Sequence, residues 1–226
     1  MPTPLKYKAP LHADHHYHLI FRSVDGVPLF REPRNHVFFL QRFRRYLCPV
    51  LVTMAYCLME NHAHFIVKIK SIEELKKSIA KLPEKRKTKI MSRFLEAEDP
   101  QTLVNAMILR QINSFMVSYT LSYNKFYNRR GGLFHSPCRR VVVKDEAHLR
   151  NGIVYVHANA QKHQIVTDFK TYPHSSYHEI LANFSTLITI KPVLEFFGGK
   201  ELFIKTHEEI ALRYYTTGWQ FESPPT

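Results

Sequence analysis

Between Met54 and Lys70 the chain reads Met-Ala-Tyr-Cys-Leu-Met-Glu-Asn-His-Ala-His-Phe-Ile-Val-Lys-Ile-Lys. Side chains of an extended strand alternate faces, so His62 and His64 point the same way, about 7 Å apart along the strand. Phe65, Val67 and Ile69 then alternate with Ile66, Lys68 and Lys70, the pattern of a strand with one well-buried face. The run before it, residues 50–57, is apolar and β-branched and reads as another strand. A turn as short as Met59-Glu60-Asn61 cannot carry a parallel crossover, so the two strands form an antiparallel pair. Any fold for this chain has to contain that hairpin.

The rest of the chain supplies partners for it. Residues 15–22, His-His-Tyr-His-Leu-Ile-Phe-Arg, form a first strand ending at the turn signal Ser-Val-Asp-Gly. It carries a second His-x-His pair, His16 and His18, which reads as polar surface. From Pro33 a helix runs to Leu47 with Val37, Leu40, Phe43 and Leu47 at helical spacing, and Arg42, Arg44 and Arg45 on its other side. Pro49 stops it. Residues 71–98 open with Ser71 and Glu74 in a capping-box arrangement and are strongly basic, a solvated helical or partly mobile stretch. A long helix spans about 102–128 and ends at Asn-Arg-Arg-Gly-Gly, whose glycines stop it. A short strand at 140–143 follows, then a helix at about 145–160 with Asp145 and Glu146 at its start. Short helices are expected near 178–184, 192–197 and 201–215.

The last two features place chemistry. On the 145–160 helix Leu149, Ile153 and Val156 form the apolar stripe, while Tyr155 and Asn159, four apart, share a neighbouring face. Two histidines on one strand face can supply two nitrogen ligands for a divalent metal, an amide or carboxylate oxygen can supply a third, and open positions remain for a phosphate. A tyrosine beside that phosphate can attack phosphorus and form a phosphotyrosine. Spacing alone leaves Tyr119, Tyr123 and Tyr127 as competing nucleophiles.

Lys and Arg outnumber Asp and Glu by 32 to 19, a net charge of +13, which fits a polyanionic partner. From Lys125 to Lys144 the basic residues Lys125, Arg129, Arg130, Arg139, Arg140 and Lys144 stand among Phe126, Tyr127 and Phe134 with no acidic residue, a pattern for a single-strand nucleic-acid surface. Cys48, Cys57 and Cys138 have no paired spacing and read as reduced thiols. With no apolar run of membrane-spanning length and no signal-peptide core, the expected location is cytoplasmic.

Taken in order, these blocks resemble the HUH-class single-tyrosine transposases, especially the REP-associated tyrosine transposases, over residues 14–180. The carriers are His16-Tyr-His-Leu-Ile-Phe-Arg22, Ala55-Tyr-Cys-Leu-Met-Glu-Asn-His-Ala-His-Phe65, Gly132-Leu-Phe134, Tyr155-Val-His-Ala-Asn159-Ala-Gln-Lys-His163 and Ser175-Ser-Tyr177. Two positions depart from the family pattern, Glu60 and Ala160 standing where proline is usual. The resemblance implies His62 and His64 as metal ligands, Asn159 as a third, Tyr155 as nucleophile, and Mg or Mn as cofactor. It implies a metal-dependent single-strand endonuclease and strand transferase acting on single-stranded or hairpin DNA, nucleoid-associated, a monomer or homodimer.

It further implies an α+β fold: a ferredoxin-like or RRM-like antiparallel sheet with the histidine strand in its middle and helices on one side. The catalytic domain would cover residues 1–180, with a helical insertion at about 71–128 and a C-terminal helical extension over 181–226. A non-catalytic nucleic-acid-binding protein on the same fold is the other reading of these residues.

Overall fold

The computed structural model describes residues 7–217. Four strands, β1 (His16–Arg22), β2 (Leu51–Met59), β3 (His62–Ile69) and β4 (Arg139–Val143), make one antiparallel sheet in the order β2-β3-β1-β4. Helix α1 (Pro33–Leu47) joins β1 to β2, and α2 (Ile72–Ala80), α3 (Lys89–Glu96) and α4 (Gln101–Phe126) lie between β3 and β4. After β4 come α5 (Glu146–Lys162), α6 (Tyr177–Leu181), α7 (Ile190–Phe197) and α8 (Lys200–Thr217). This is an α+β protein of ferredoxin-like strand order, with β3 central and helices following at the C-terminal end.

Helices cover both faces of the sheet, not one. On the first face an aromatic cluster joins β1 and β3 to α1 and α4: the Phe43 and Phe65 rings stack at 4.1 Å, and Phe115 meets Phe21 and Phe39 edge-on at 5.1 and 5.0 Å. Offset and edge-to-face contacts of this kind add to what burial alone contributes. On the other face α5 lies across β2 and β3, and α8 packs on α5. That second layer explains why five consecutive residues of β1 are buried, where alternation predicts one wet face. It also explains why α5 is buried without a break from Gly152 to Ala160: the sheet covers one side and α8 the other. His18, read from the sequence as polar surface, is 0 % exposed for the same reason.

Both sheet edges are closed, β2 by bridges from Cys57 to Ser175 and from Thr53 to Ile188, and β4 by one from Arg140 to Lys8.

Local signals hold at the helix ends. The Ser71 hydroxyl accepts from the Glu74 amide at 3.1 Å and the Glu74 carboxylate accepts from the Ser71 amide at 2.9 Å. Ser71→Ala is therefore expected to cost about 1 kcal/mol, read as a lower urea midpoint with an unchanged slope. At the end of α4 the left-handed residue is Asn128, with φ of 48°. The Arg129 amide then returns to the Asn124 carbonyl at 2.9 Å. An asparagine, which tolerates that region, thus closes the helix before the glycines are reached. Among the described residues no helix is long and apolar enough to cross a membrane, and Cys48, Cys57 and Cys138 are free thiols.

Candidate active site

His62 opens β3 opposite Arg22 of β1, and His64 stands opposite Ile20 of β1 and Cys57 of β2. The two rings sit on one face at 5.1 Å between centroids. Each has a side-chain partner on Nδ1. The His62 Nδ1 proton is donated to Asn61 Oδ1 at 2.6 Å, which leaves Nε2 with its lone pair. His64 Nδ1 lies 2.7 Å from His18 Nε2. If His64 is the donor in that pair, its own Nε2 is left as a free acceptor.

Helix α5 brings Tyr155 to this cluster. Its ring is 6.1 Å from that of His64 and 5.9 Å from that of His18, both edge-on. Two turns further along α5, Lys162 returns to the tyrosine, its ammonium donating to the phenolic oxygen at 3.2 Å and lying 4.6 Å from the ring centre. Asn159 lies between them. Its Nδ2 donates to the Tyr155 carbonyl at 3.2 Å, while its Oδ1 is buried with no hydrogen-bond partner. His163 completes the rim, its ring 5.2 Å from His62.

Burial sets the charge state of the cluster. It pushes His18 down to about 3 and His62 to about 4, and holds His64 well below the usual imidazole range. Lys162 contributes to the lowering of both His18 and His64, and His163 to that of both His62 and His64. The imidazoles are neutral at pH 7, the form in which they bind metals.

The donor set fits a divalent ion in part. Two neutral imidazoles and an orphaned amide oxygen are a mixed nitrogen and oxygen set of the kind such ions accept. Among the described residues no three His, Cys, Asp or Glu side chains converge as a metal centre. For an ion bound at this place, the amide of Asn159, water or substrate would have to supply a third ligand.

Other sequence-predicted residues lie elsewhere. Tyr119 belongs to the opposite layer, where its hydroxyl donates to the Leu29 carbonyl at 2.7 Å and its ring meets Phe39 at 5.1 Å. Of the basic segment, Lys125 and Arg130 are exposed, and Arg139 stacks over Tyr7 at 5.1 Å. Arg129 donates to the carbonyls of Gly131 and Gly132 at 3.2 and 2.7 Å. Arg140 is 5 % exposed and donates to those of Ala9 and Cys138 at 2.9 and 3.0 Å. These last two guanidiniums satisfy backbone groups of their own chain. No sequence motif marks Lys162, although its spacing of seven from Tyr155 puts it on the same helical face. For His18 nothing local signals the contact, because the residue it meets is 46 positions away.

The fold and cluster together define an α+β protein of ferredoxin-like strand order, with a buried imidazole group set against a tyrosine and a lysine. No family model matches the chain, and no curated protein does. Among solved structures, a REP-associated tyrosine transposase bound to a REP hairpin is similar at a TM-score of 0.46 and 12% identity, over 80% of this chain and 86% of that one.

Proposed function

We propose that the chain cleaves and rejoins single-stranded DNA through Tyr155, with a divalent metal held by His62, His64 and Asn159. The observation that carries this reading is the packing of Tyr155 against the His18 and His64 rings, with the Lys162 ammonium on its oxygen. When bound, Mg or Mn would neutralise and polarise the scissile phosphate. Positive charge from Lys162 stabilises negative charge on the phenolic oxygen as its proton leaves. That oxygen attacks phosphorus, the bond from phosphorus to the 3′ oxygen breaks, and the leaving oxygen takes a proton. The 5′ phosphate stays on the protein, and attack by another 3′ hydroxyl reverses the step.

The direct test is to incubate single-stranded and hairpin oligonucleotides with Mn and look for a DNA adduct that survives denaturation. A label on the 3′ side of the cut should remain with the protein and a label on the 5′ side should leave. Cleavage with no linked product would make the reaction hydrolysis and Tyr155 structural.

His18 has a positioning role in this reading. It accepts the Nδ1 proton of His64 and so keeps Nε2 free for the metal. Replacement by Phe preserves the volume and removes the acceptor. His18→Phe is expected to weaken Mn binding about 10- to 100-fold by titration calorimetry, with no DNA present. An unchanged affinity would remove His18 from the site.

Burial supports a second reading. Tyr155 and His64 are each 4 % exposed, and Tyr214 of α8 packs edge-on against Tyr155 at 5.7 Å. Catalysis requires α8 to move aside, whereas a nucleic-acid-binding module without chemistry does not. That second function predicts salt-sensitive binding indifferent to His62→Ala and His64→Ala.

A further inference from the structure

Where α1 meets the C-terminal half of α4, on the outer side of the first layer, there is a cavity of about 290 Å³. Its walls are the rings of Phe38, Tyr119, Tyr123, Phe126 and Tyr127, joined by Arg34, and no carboxylate lines it. The volume falls just below the roughly 300–1,000 Å³ of a pocket for a drug-sized ligand, which leaves room for a large apolar side chain.

The walls are held from within. The Tyr119 and Tyr123 hydroxyls donate to the Leu29 and Pro28 carbonyls at 2.7 and 2.5 Å, and the Tyr127 hydroxyl donates to Glu32 Oε1 at 2.7 Å. Asn35 Oδ1 in turn accepts from the Arg31 and Glu32 amides at 2.9 and 3.1 Å. Three phenols are thus anchored through their oxygens, and their rings are left to shape the space. The cavity is pre-formed.

Cations stand around it. Arg31 lies over the Tyr127 ring at 4.7 Å, Arg34 over Phe126 at 4.0 Å and Arg42 over Phe38 at 4.7 Å. Glu32 pairs with Arg34 at 2.8 Å, whereas Arg31 and Arg42 form no ion pair among the described residues. Positive charge is therefore left uncompensated here. Val37, one turn from Arg34 on α1, and Phe126 on α4 are 58 and 57 % exposed and extend the apolar surface.

Tyrosine, phenylalanine and arginine around a fixed apolar pocket have the composition of the energetic centre of a protein interface. Arginines beside an apolar slot complement a segment in which carboxylates flank one large apolar residue. A base stacking on Phe38, Phe126 or Tyr127 has to compete with the guanidinium already there, whereas a side chain entering the cavity uses the space as it stands. We propose that this cavity docks an acidic peptide segment of a partner protein, which inserts one aromatic or large aliphatic side chain between α1 and α4 and sets its carboxylates on Arg31 and Arg42.

α1 and α4 pack together on one face of the sheet and α5 on the other, so a partner held here leaves the tyrosine cluster uncovered. The assignment does not rest on chemistry at Tyr155.

The test selects a phage-displayed library of random peptides on the immobilised full chain. Enriched peptides are then made with a fluorophore and titrated by anisotropy against wild type, Phe126→Ala, Arg31→Glu and Ser122→Trp, the last of which fills the cavity. Phe126 and Arg31 are exposed, and thermal unfolding checks that each variant folds like the wild type. Expected are sequences in which Asp or Glu flanks a Phe, Trp or Leu, with affinity falling as salt rises. Each variant should bind them about tenfold or more weakly. No enrichment over a blank support, enriched sequences without acidic residues, or affinities unchanged in the variants each overturns the proposal. Single-stranded and hairpin DNA are titrated against the same proteins and should bind as to wild type; a loss of DNA binding in parallel with peptide binding assigns the surface to nucleic acid and overturns it as well.

Discussion

Tyr155→Phe is expected to abolish the covalent protein–DNA product and to lower strand transfer by about a thousandfold or more, because the Tyr155 hydroxyl supplies the attacking oxygen of the proposed intermediate. The substitution keeps the ring. Its edge contacts with His18 and His64, 5.9 and 6.1 Å between centroids, should persist, and only the hydroxyl that accepts from Lys162 is lost. Metal affinity measured without DNA and the urea midpoint should therefore change little, and this separates a lost nucleophile from a damaged fold. Tyr119→Phe is the matched control. The Tyr119 hydroxyl donates to the Leu29 carbonyl in the opposite layer, so its removal should cost about 1 kcal/mol of stability and leave the adduct intact. An adduct that survived Tyr155→Phe and vanished in Tyr119→Phe would transfer the role to α4.

A second large effect concerns acid. His207 of α8 is 0 % exposed; its Nδ1 donates to the Phe203 carbonyl at 2.7 Å, and its Nε2 accepts from His157 Nδ1 at 2.8 Å. His157 Nε2 in turn accepts from the Ser176 hydroxyl at 2.8 Å, and the Tyr56 amide donates to that hydroxyl at 2.9 Å. This chain of bonds ties α8 to α5, to the segment before α6 and to β2, and it is complete only with both rings neutral. Burial pushes His207 from 6.5 down to about 3 and holds His157 well below the same range. Between those values the unfolded chain takes up protons that the folded chain refuses. The stability from these two residues is thus fully present above pH 6.5 and falls as the pH falls toward 3.

For His207 alone the loss from pH 7 to pH 4.5 is about 3 kcal/mol, and His157 adds to it with the same sign. That is a large part of the 5–15 kcal/mol of a typical domain. Urea unfolding at the two pH values measures it. His207→Leu should be less stable than wild type at pH 7 and lose less on acidification. An identical pH dependence in wild type and variant would place the sensitivity elsewhere.

Local patterns in the sequence were sufficient for much of this molecule. The four strands, the Ser71 capping box and the helical face shared by Tyr155 and Asn159 all depend on periodicities of two and 3.6 residues and on nearest-neighbour hydrogen bonds. Neighbours of that kind are in the chain itself. The shared face of His62 and His64 follows from the same rule, and the antiparallel hairpin from the shortness of the turn before them.

What required the tertiary structure was each relation between distant segments. That His18 is a partner of His64 depends on the register of β1 against β3, in which His18 faces Ile66 and His64 faces Ile20; one residue of slip would have put His18 on the other face. That Tyr155 meets those histidines depends on α5 crossing the second face of the sheet. That both are buried depends on α8 closing over α5. The placing of Arg31 and Arg34 over rings at the end of α4, and the use of Arg129 and Arg140 to satisfy carbonyls, depend in the same way on which helix packs where. Charge and hydropathy along the chain say which residues can pair; only long-range packing, which buries the surface and removes the water, selects the pairs that form.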